Sequence, residues 1–321
     1  DLAAAFAGIT THTGTLTISD ADDTAVDATV LSAIGGATIG NVTVSNAVAV
    51  SGSLNEAKAA FVTADTAVSA SSAVVTLNDA ADTPLLAVDL TSLAGGVGSV
   101  VITNGATITG NQADVTTALL LENTTRPADY NVSVTGAFSI EGSLIGVYNA
   151  VSNSTSGDLI VTGTGFGDTL NASSFTGDGS KGLTLNGGSG ADTIVGTGFD
   201  DIITGGNGSD NLTGGSGSDT FVFNSVSGAD TIVDYTVADD SIQISKAIFT
   251  GLGDIGALSS DEFVSGAGLT AAADETDRIV YDTTSGNLYY DADGSGGVAA
   301  VQIATFTGIP DLLSSDFAII A

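Results

Sequence analysis

The sequence predicts a mainly β fold built from stacked repeats, and three observations carry that reading. First, residues 187–222 are four nine-residue units in unbroken register: GGSGADTIV, GTGFDDIIT, GGNGSDNLT and GGSGSDTFV. Second, the region before them carries a longer internal repeat of roughly 58 residues, and units of that length bury a shared core by stacking. Third, Gly is abundant at 43 residues, Pro is rare at 3, and Val, Thr and Ile alternate in short runs. That composition favours many short strands. A hydrophobic content of 43% supplies a core and excludes general disorder.

The chain divides on this reading into residues 1–155, 156–235 and 236–321. In the first region, Ile18-Ser19-Asp20-Ala21 matches Leu77-Asn78-Asp79-Ala80, Asn46 matches Asn104, and Ser51-Gly52 matches Thr109-Gly110. A third copy begins at 131–137 and diverges. Each unit reads as a strand (15–19; 74–78), then a short helix ended by Gly-Gly (27–35; 87–95). Two strand-like runs (41–45 and 47–51; 99–103 and 106–109) and a second helix (54–62; 111–121) follow. Ser53 and Asn111 suit the N-cap, and Gly just past the last apolar residue suits a C-cap. The expectation is a β-rich solenoid with short helices, with two small α/β domains as the alternative.

Residues 156–235 hold the nonapeptides. Three of the four units follow G-G-x-G-x-D-x-U-x, with U a large apolar residue. The second keeps Gly196, Asp201 and Ile203 but has Thr197 and Phe199 where Gly is usual. Paired glycines let the backbone turn with its carbonyls inward. Those carbonyls and a carboxylate are hard oxygen ligands of the kind Ca²⁺ takes. The candidate ligating positions are therefore Gly187, Gly188, Gly190 and Asp192; Gly196, Gly198 and Asp201; Gly205, Gly206, Gly208 and Asp210; and Gly214, Gly215, Gly217 and Asp219. The residues after each Asp form a short strand whose apolar member (Ile194, Ile203, Leu212, Phe221) points inward. GTGFGDTLN (163–171) is a degenerate unit with Asp168 in the ligand position. Asp230 and Asp240 extend the set in SGADTIVDY and DDSIQIS.

This run resembles the RTX (repeats-in-toxin) family of secreted calcium-binding proteins. The resemblance implies a right-handed parallel β-roll with two nonapeptides per turn, beginning near Ser156 and closed by a C-terminal cap. Asp192 then stacks over Asp210, and Asp201 over Asp219. Strands in such a ladder lie about 4.7–4.9 Å apart. Two carboxylates at that distance repel by about 0.9 kcal/mol in water and about 3.5 kcal/mol at an effective dielectric of 20. A cation turns that repulsion into shared ligation.

In residues 236–321 aromatic residues concentrate, so the cap has a conventional core. Residues 277–308 read as a hairpin followed by an acidic loop. Asp291 and Asp293 open that loop as D-x-D-G, without the Glu at the twelfth position that an EF-hand needs. A calcium-binding turn and a plain acidic turn both fit. The ending Asp316-Phe317-Ala318-Ile319-Ile320-Ala321 is similar to the C-terminal signals of type I secretion substrates, and it also reads as a last strand.

The formal net charge is −32, with five Lys and Arg in all. Phosphate binding needs clustered cations, which argues against a nucleic-acid partner. No apolar run reaches the length of a membrane span. Cysteine is absent and His12 is the single histidine, so H-E-x-x-H zinc chemistry and thiol chemistry are excluded, and no G-x-S-x-G elbow is present. The expectation is a non-catalytic, extracellular protein with Ca²⁺ as its cofactor. It is exported by a type I apparatus and assembles with copies of itself into a sheet or filament, with cell-envelope polysaccharide as a further partner. The pairing of RTX repeats with a small-residue-rich repeat region resembles bacterial surface-layer proteins. An RTX adhesin is the main rival, and a calcium-dependent hydrolase a more distant one.

Overall fold

The structure, a computed structural model, describes residues 12–19, 21, 24–63, 68–81, 83–127, 130–139, 159–176 and 182–321. They form two compact units, one ending at Ser133 and the other running from Val134 to Ala321. The expected boundary at 155/156, and with it the start of the roll near Ser156, lies outside the described residues. No division falls at 235/236: roll and cap are one unit.

In the first unit the strands stack in parallel. Leu16 pairs with Val42 and Val74 with Ser99, steps of 26 and 25 residues. Each 58-residue repeat therefore contains two coils, which the sequence period alone does not reveal. The long strand Val68–Leu77 joins two ladders, pairing with Val42–Val44 at its start and with Ala49–Gly52 at its end. This continuous parallel ladder makes a solenoid and not two α/β domains.

Among the described residues, four helices stand at the coil corners: Ala28–Gly36, Leu54–Phe61, Ala87–Gly96 and Gln112–Leu119. Each turns a narrow apolar stripe inward, such as Leu31 and Ile34 in the first and Leu90 and Leu93 in the third. Ser53 caps the second helix through a capping box with Glu56, and Asn111 caps the fourth by accepting from the Asp114 amide at 3.0 Å. Lys58 and Asp89 join the second and third helices at 2.5 Å. The matched asparagines also act alike: Asn46 donates its amide to the Ser19 carbonyl and Asn104 to that of Asp79.

Two expectations here need correction. Short strands at Ala25–Asp27 and Pro84–Leu86 precede the first and third helices. Three residues are too few to show a period, and Pro is tolerated at a strand's first position. The Gly-Gly pairs lie inside the last helical turn, not in a left-handed cap. The chain leaves right-handed at Ala37 in one case and extended at Val97 in the other, so neither exit requires positive φ.

The second unit contains two parallel ladders. One runs through Leu159–Thr162, Thr184–Ser189, Ile202–Asn207, Thr220–Phe223, Ser241–Ser245 and Phe317–Ile320. The other runs through Phe138–Ser139, Thr169–Asn171, Thr193–Val195, Asn211–Thr213, Asp230–Ile232 and Val301–Phe306. Ile194 faces Leu212 and Ile203 faces Phe221, each 18 residues on, which gives two nonapeptides per turn. These four side chains are at most 1% exposed, as are Leu170, Leu185, Ile232 and Ile242. Each contributes about 1.5–3 kcal/mol by its burial.

The cap continues the same sheets. Val301–Phe306 adds in parallel to Asp230–Ile232, then Asn287–Tyr290 and Ile279–Asp282 follow as antiparallel strands. Aromatic pairs fill its core, among them Tyr235 against Phe306 at 5.3 Å and Phe249 against Tyr290 at 4.9 Å between ring centres. Phe317–Ile320 is a strand with Phe317 and Ile319 buried, so deleting it would strip the cap core.

Candidate metal centre

Between the strands of the roll, each loop delivers one aspartate to a stacked row. One row contains Asp168, Asp192, Asp210 and Asp230; the other contains Asp201, Asp219 and Asp240. In both, a carboxylate Oδ1 accepts from the backbone N–H one turn earlier. Asp168 N donates to Asp192 at 2.6 Å, Asp192 N to Asp210 at 2.8 Å, and Asp210 N to Asp230 at 3.1 Å. Asp201 N donates to Asp219 and Asp219 N to Asp240, both at 2.9 Å. Leu183 N donates to Asp201 at 2.6 Å and begins the second row. The predicted stacking of Asp192 with Asp210 and of Asp201 with Asp219 is therefore present, and the amide between the carboxylates holds the register.

The second oxygens separate two kinds of loop. In the Gly-Gly loops, Oδ2 of Asp192 and of Asp210 is buried with no hydrogen-bond partner. The first glycine of each repeat lies against this oxygen. A Cβ on Gly187, Gly205 or Gly214 would collide with Oδ2 of Asp192, Asp210 or Asp219, and one on Gly196 would meet Asp201 Oδ2. In the Thr loops the same oxygen is satisfied. Thr197 N donates to Asp201 Oδ2 at 2.5 Å, Thr164 N to Asp168 Oδ2 at 2.6 Å, and Thr236 N to Asp240 Oδ2 at 2.8 Å. Thr four residues before Asp is the sequence signal for this turn, and the nonapeptide pattern does not contain it. Two further carboxylates also went unread: Asp234 accepts from the amides of Gly214 and Gly215, and Asp200 from that of Ser218.

The remaining glycines bring backbone oxygens close. Gly206 and Gly208 have φ of 101° and 140°, and a Cβ on either would strike the carbonyl of Gly188 or Gly190 one turn earlier. Gly188, Gly190, Gly215 and Gly217 likewise have positive φ. Gly198 has open space around it and lies in the Thr loop. Asp291 and Asp293 belong to neither row and sit in the cap loop after Asn287–Tyr290.

Burial sets the electrostatics. It pushes Asp201 up to about 6. It pushes Asp219 to about 7, with Asp201, Asp240 and Asp234 adding repulsion, and Asp230 to about 8, with Asp210 and Asp192 adding theirs. Asp192 and Asp240 shift upward for the same first reason. Acids whose burial favours neutrality, beside buried carboxylate oxygens that no donor in the fold satisfies, mark a place that positive charge would stabilise. Among the described residues no three acidic or histidine side chains converge, so most ligands of a metal here come from the backbone. That donor set is all oxygen, and it fits Ca²⁺. Asp192 and Asp210, with the carbonyls of the Gly-Gly loops, are the residues that would hold it.

The RTX calcium-binding nonapeptide repeat family matches four copies over residues 186–221. No curated protein matches the chain closely enough to count as a relative. RTX nonapeptide repeats bind Ca²⁺, and proteins that carry them are typically secreted. No described helix is long and apolar enough to cross a membrane. The matched repeats contain Asp192, Asp201, Asp210 and Asp219 of the two rows with their glycine loops, and they support a calcium-binding protein of the RTX type.

Proposed function

We propose that the protein is a non-catalytic structural component that assembles with copies of itself outside the cell when calcium is bound. The observation that carries this is electrostatic. A chain of net charge −32 repels its own copies, and its roll holds buried carboxylate oxygens that no donor in the fold satisfies. Calcium removes both obstacles: it rigidifies each subunit and bridges acidic surfaces. Two further features support assembly. Both units are stacked parallel coils, and the second ladder ends on Phe263–Gly266, an edge strand whose free backbone groups can pair with another chain. On this reading the cell-envelope attachment partner is polysaccharide, and export uses a type I apparatus.

The test is light scattering with electron microscopy during a calcium titration at micromolar protein. Growth of sheets or filaments is expected. A calcium-loaded protein that stays strictly monomeric overturns the proposal. A specific observation favours an adhesin as the second reading: an open groove of about 380 Å³ along the roll is lined by Thr162, Thr164, Asn186, Ser189, Asn207 and Asn224. Amides and hydroxyls in such a row suit a sugar, and saturable glycan binding by a monomer would put this reading first.

A further inference from the structure

We propose that the cap loop beginning at Asp291 is a second cation site, independent of the nonapeptides. Asp291 supplies its charge, and a hard divalent cation of the Ca²⁺ class is its occupant. Asp291 follows the strand Asn287–Tyr290 and is 1% exposed. Its backbone is fixed by a 2.8 Å bond from its N–H to the Arg278 carbonyl. Its Oδ2 accepts from Ala272 N at 3.2 Å, while its Oδ1 is buried and has no partner. Asp291 lines an open cleft of about 500 Å³ together with Thr270, Ala272, Ser295 and Gly296.

The side chain of Arg278, whose carbonyl holds the Asp291 backbone, does not fill that need. The Arg278 guanidinium donates to the carbonyls of Gly251, Glu275 and Asp277. The ion pairs among the described residues are Lys58 with Asp89 and Lys246 with Asp254. A buried carboxylate oxygen without a donor or cation is strongly disfavoured. The loop after Asp291 is held close to the backbone of residues 274 and 275. Gly294 has φ 68°, and a Cβ there would lie 2.7 Å from the carbonyls of Asp274 and Glu275. Asp293 shapes the loop by accepting from Val298 N at 3.2 Å. The site is not an EF-hand. The twelfth residue from Asp291 is Gln302, whose amide is bonded to Asn287 and Thr305. Backbone carbonyls and water therefore complete the coordination.

The experiment is calcium stoichiometry by equilibrium dialysis on the full chain, comparing wild type, D291N and D210N. D291N is expected to bind one calcium fewer while keeping the calcium-induced β signal of the roll. An unchanged count in D291N overturns the site and leaves the roll intact. No calcium bound by wild type overturns the calcium reading of the roll as well. Should D291N misfold, as judged by the near-ultraviolet signal of the aromatic cap, hydrogen exchange of residues 291–300 in the wild-type chain decides. Slower exchange in calcium supports the site, and unchanged exchange overturns it.

Discussion

The coils of residues 12–127 and the turns of residues 163–245 both stack parallel strands and reverse the chain between them, but with different chemistry. A coil has 25 or 26 residues per step, long enough to close its corners with helices. Three of those helices have a capping side chain, Asp27, Ser53 or Asn111, while Leu54 N–H donates to Asp79 at 2.9 Å, and Asn46 and Asn104 add neutral hydrogen bonds between coils. In the nonapeptide run, between Thr193 and Val222, a roll turn has 18 residues for two strands and two loops. No helix fits, so carbonyls and carboxylates converge. The difference teaches that calcium dependence follows from turn length: a corner too short to contain its own donors must borrow positive charge.

The largest expected effect of breaking this comparison is chelation. Excess chelator should abolish amide protection over residues 184–245 and leave residues 24–61 protected, as read by hydrogen exchange with mass spectrometry. Equal loss in both regions would show that the coils also depend on calcium. Equal retention would show that the carboxylate rows stand without it.

The comparison sharpens inside the roll. Asp210 has an orphaned Oδ2, whereas both oxygens of Asp201 are occupied by Thr197 and Leu183. Asp210→Asn should weaken calcium binding tenfold or more, about 1.4 kcal/mol. It should leave the metal-free chain no less stable, because it replaces a buried oxygen that no donor in the fold satisfies. Asp201→Asn should do the reverse. Its amide would face an N–H that needs an acceptor, at a cost of about 1–3 kcal/mol in the metal-free state, while the shift in calcium affinity stays within a few fold. Calcium titration and urea melts in chelator separate the two. Matching profiles would erase the distinction between Thr and Gly-Gly loops.

Much of this was legible because each feature repeats. Nine-residue spacing placed Ile194, Ile203, Leu212 and Phe221 in the core, and the RTX resemblance implied the stacking of their aspartates. Matched Ser53 and Asn111 marked helix starts. What stayed hidden depended on contacts across turns. Thr197 and Thr164 looked like lapses in a glycine pattern, yet each completes a carboxylate. Asp234 and Asp200 fall outside the repeat positions and serve amides on a neighbouring turn. Ala25–Asp27 and Pro84–Leu86 are strands only because a neighbouring coil offers a partner.

Acidity gives a smaller effect of opposite sign in the two regions. Asp219 and Asp230, at about 7 and about 8 in the fold, stand above the unfolded value near 4. Their contribution to the metal-free roll is full below about pH 4 and is lost as pH rises through about 7 to 8. Asp27 is held below its ordinary value by hydrogen bonds from Thr29. Its contribution is present at neutral pH and is lost as pH falls through that lowered value. In chelator, roll amides should thus be better protected at pH 5 than at pH 8.5, while the helix Ala28–Gly36 should not change between them. Saturating calcium should cancel the roll's loss at high pH, since a bound cation holds the carboxylates ionised. Better protection of the metal-free roll at pH 8.5 would contradict the assigned shifts.

The smallest effect tests the claim that coil corners are self-contained. Ser53 accepts from the Glu56 amide at 3.3 Å, and its own N–H donates to the Glu56 carboxylate at 2.8 Å. Ser53→Ala removes the hydroxyl half of this box and leaves one helix amide without its acceptor. The loss should be about 1 kcal/mol of stability in the first unit. Because neither Ser53 nor Glu56 shares a hydrogen bond with any aspartate of the roll's rows, the calcium titration should superimpose on wild type. The informative pair of measurements is a urea melt followed at the coils and a calcium titration followed at the roll. A shift in the melt with an unmoved titration is the expected result. A weakened calcium response would mean that the coils lend stability to the roll, and corner chemistry alone would no longer explain why one region needs calcium and the other does not.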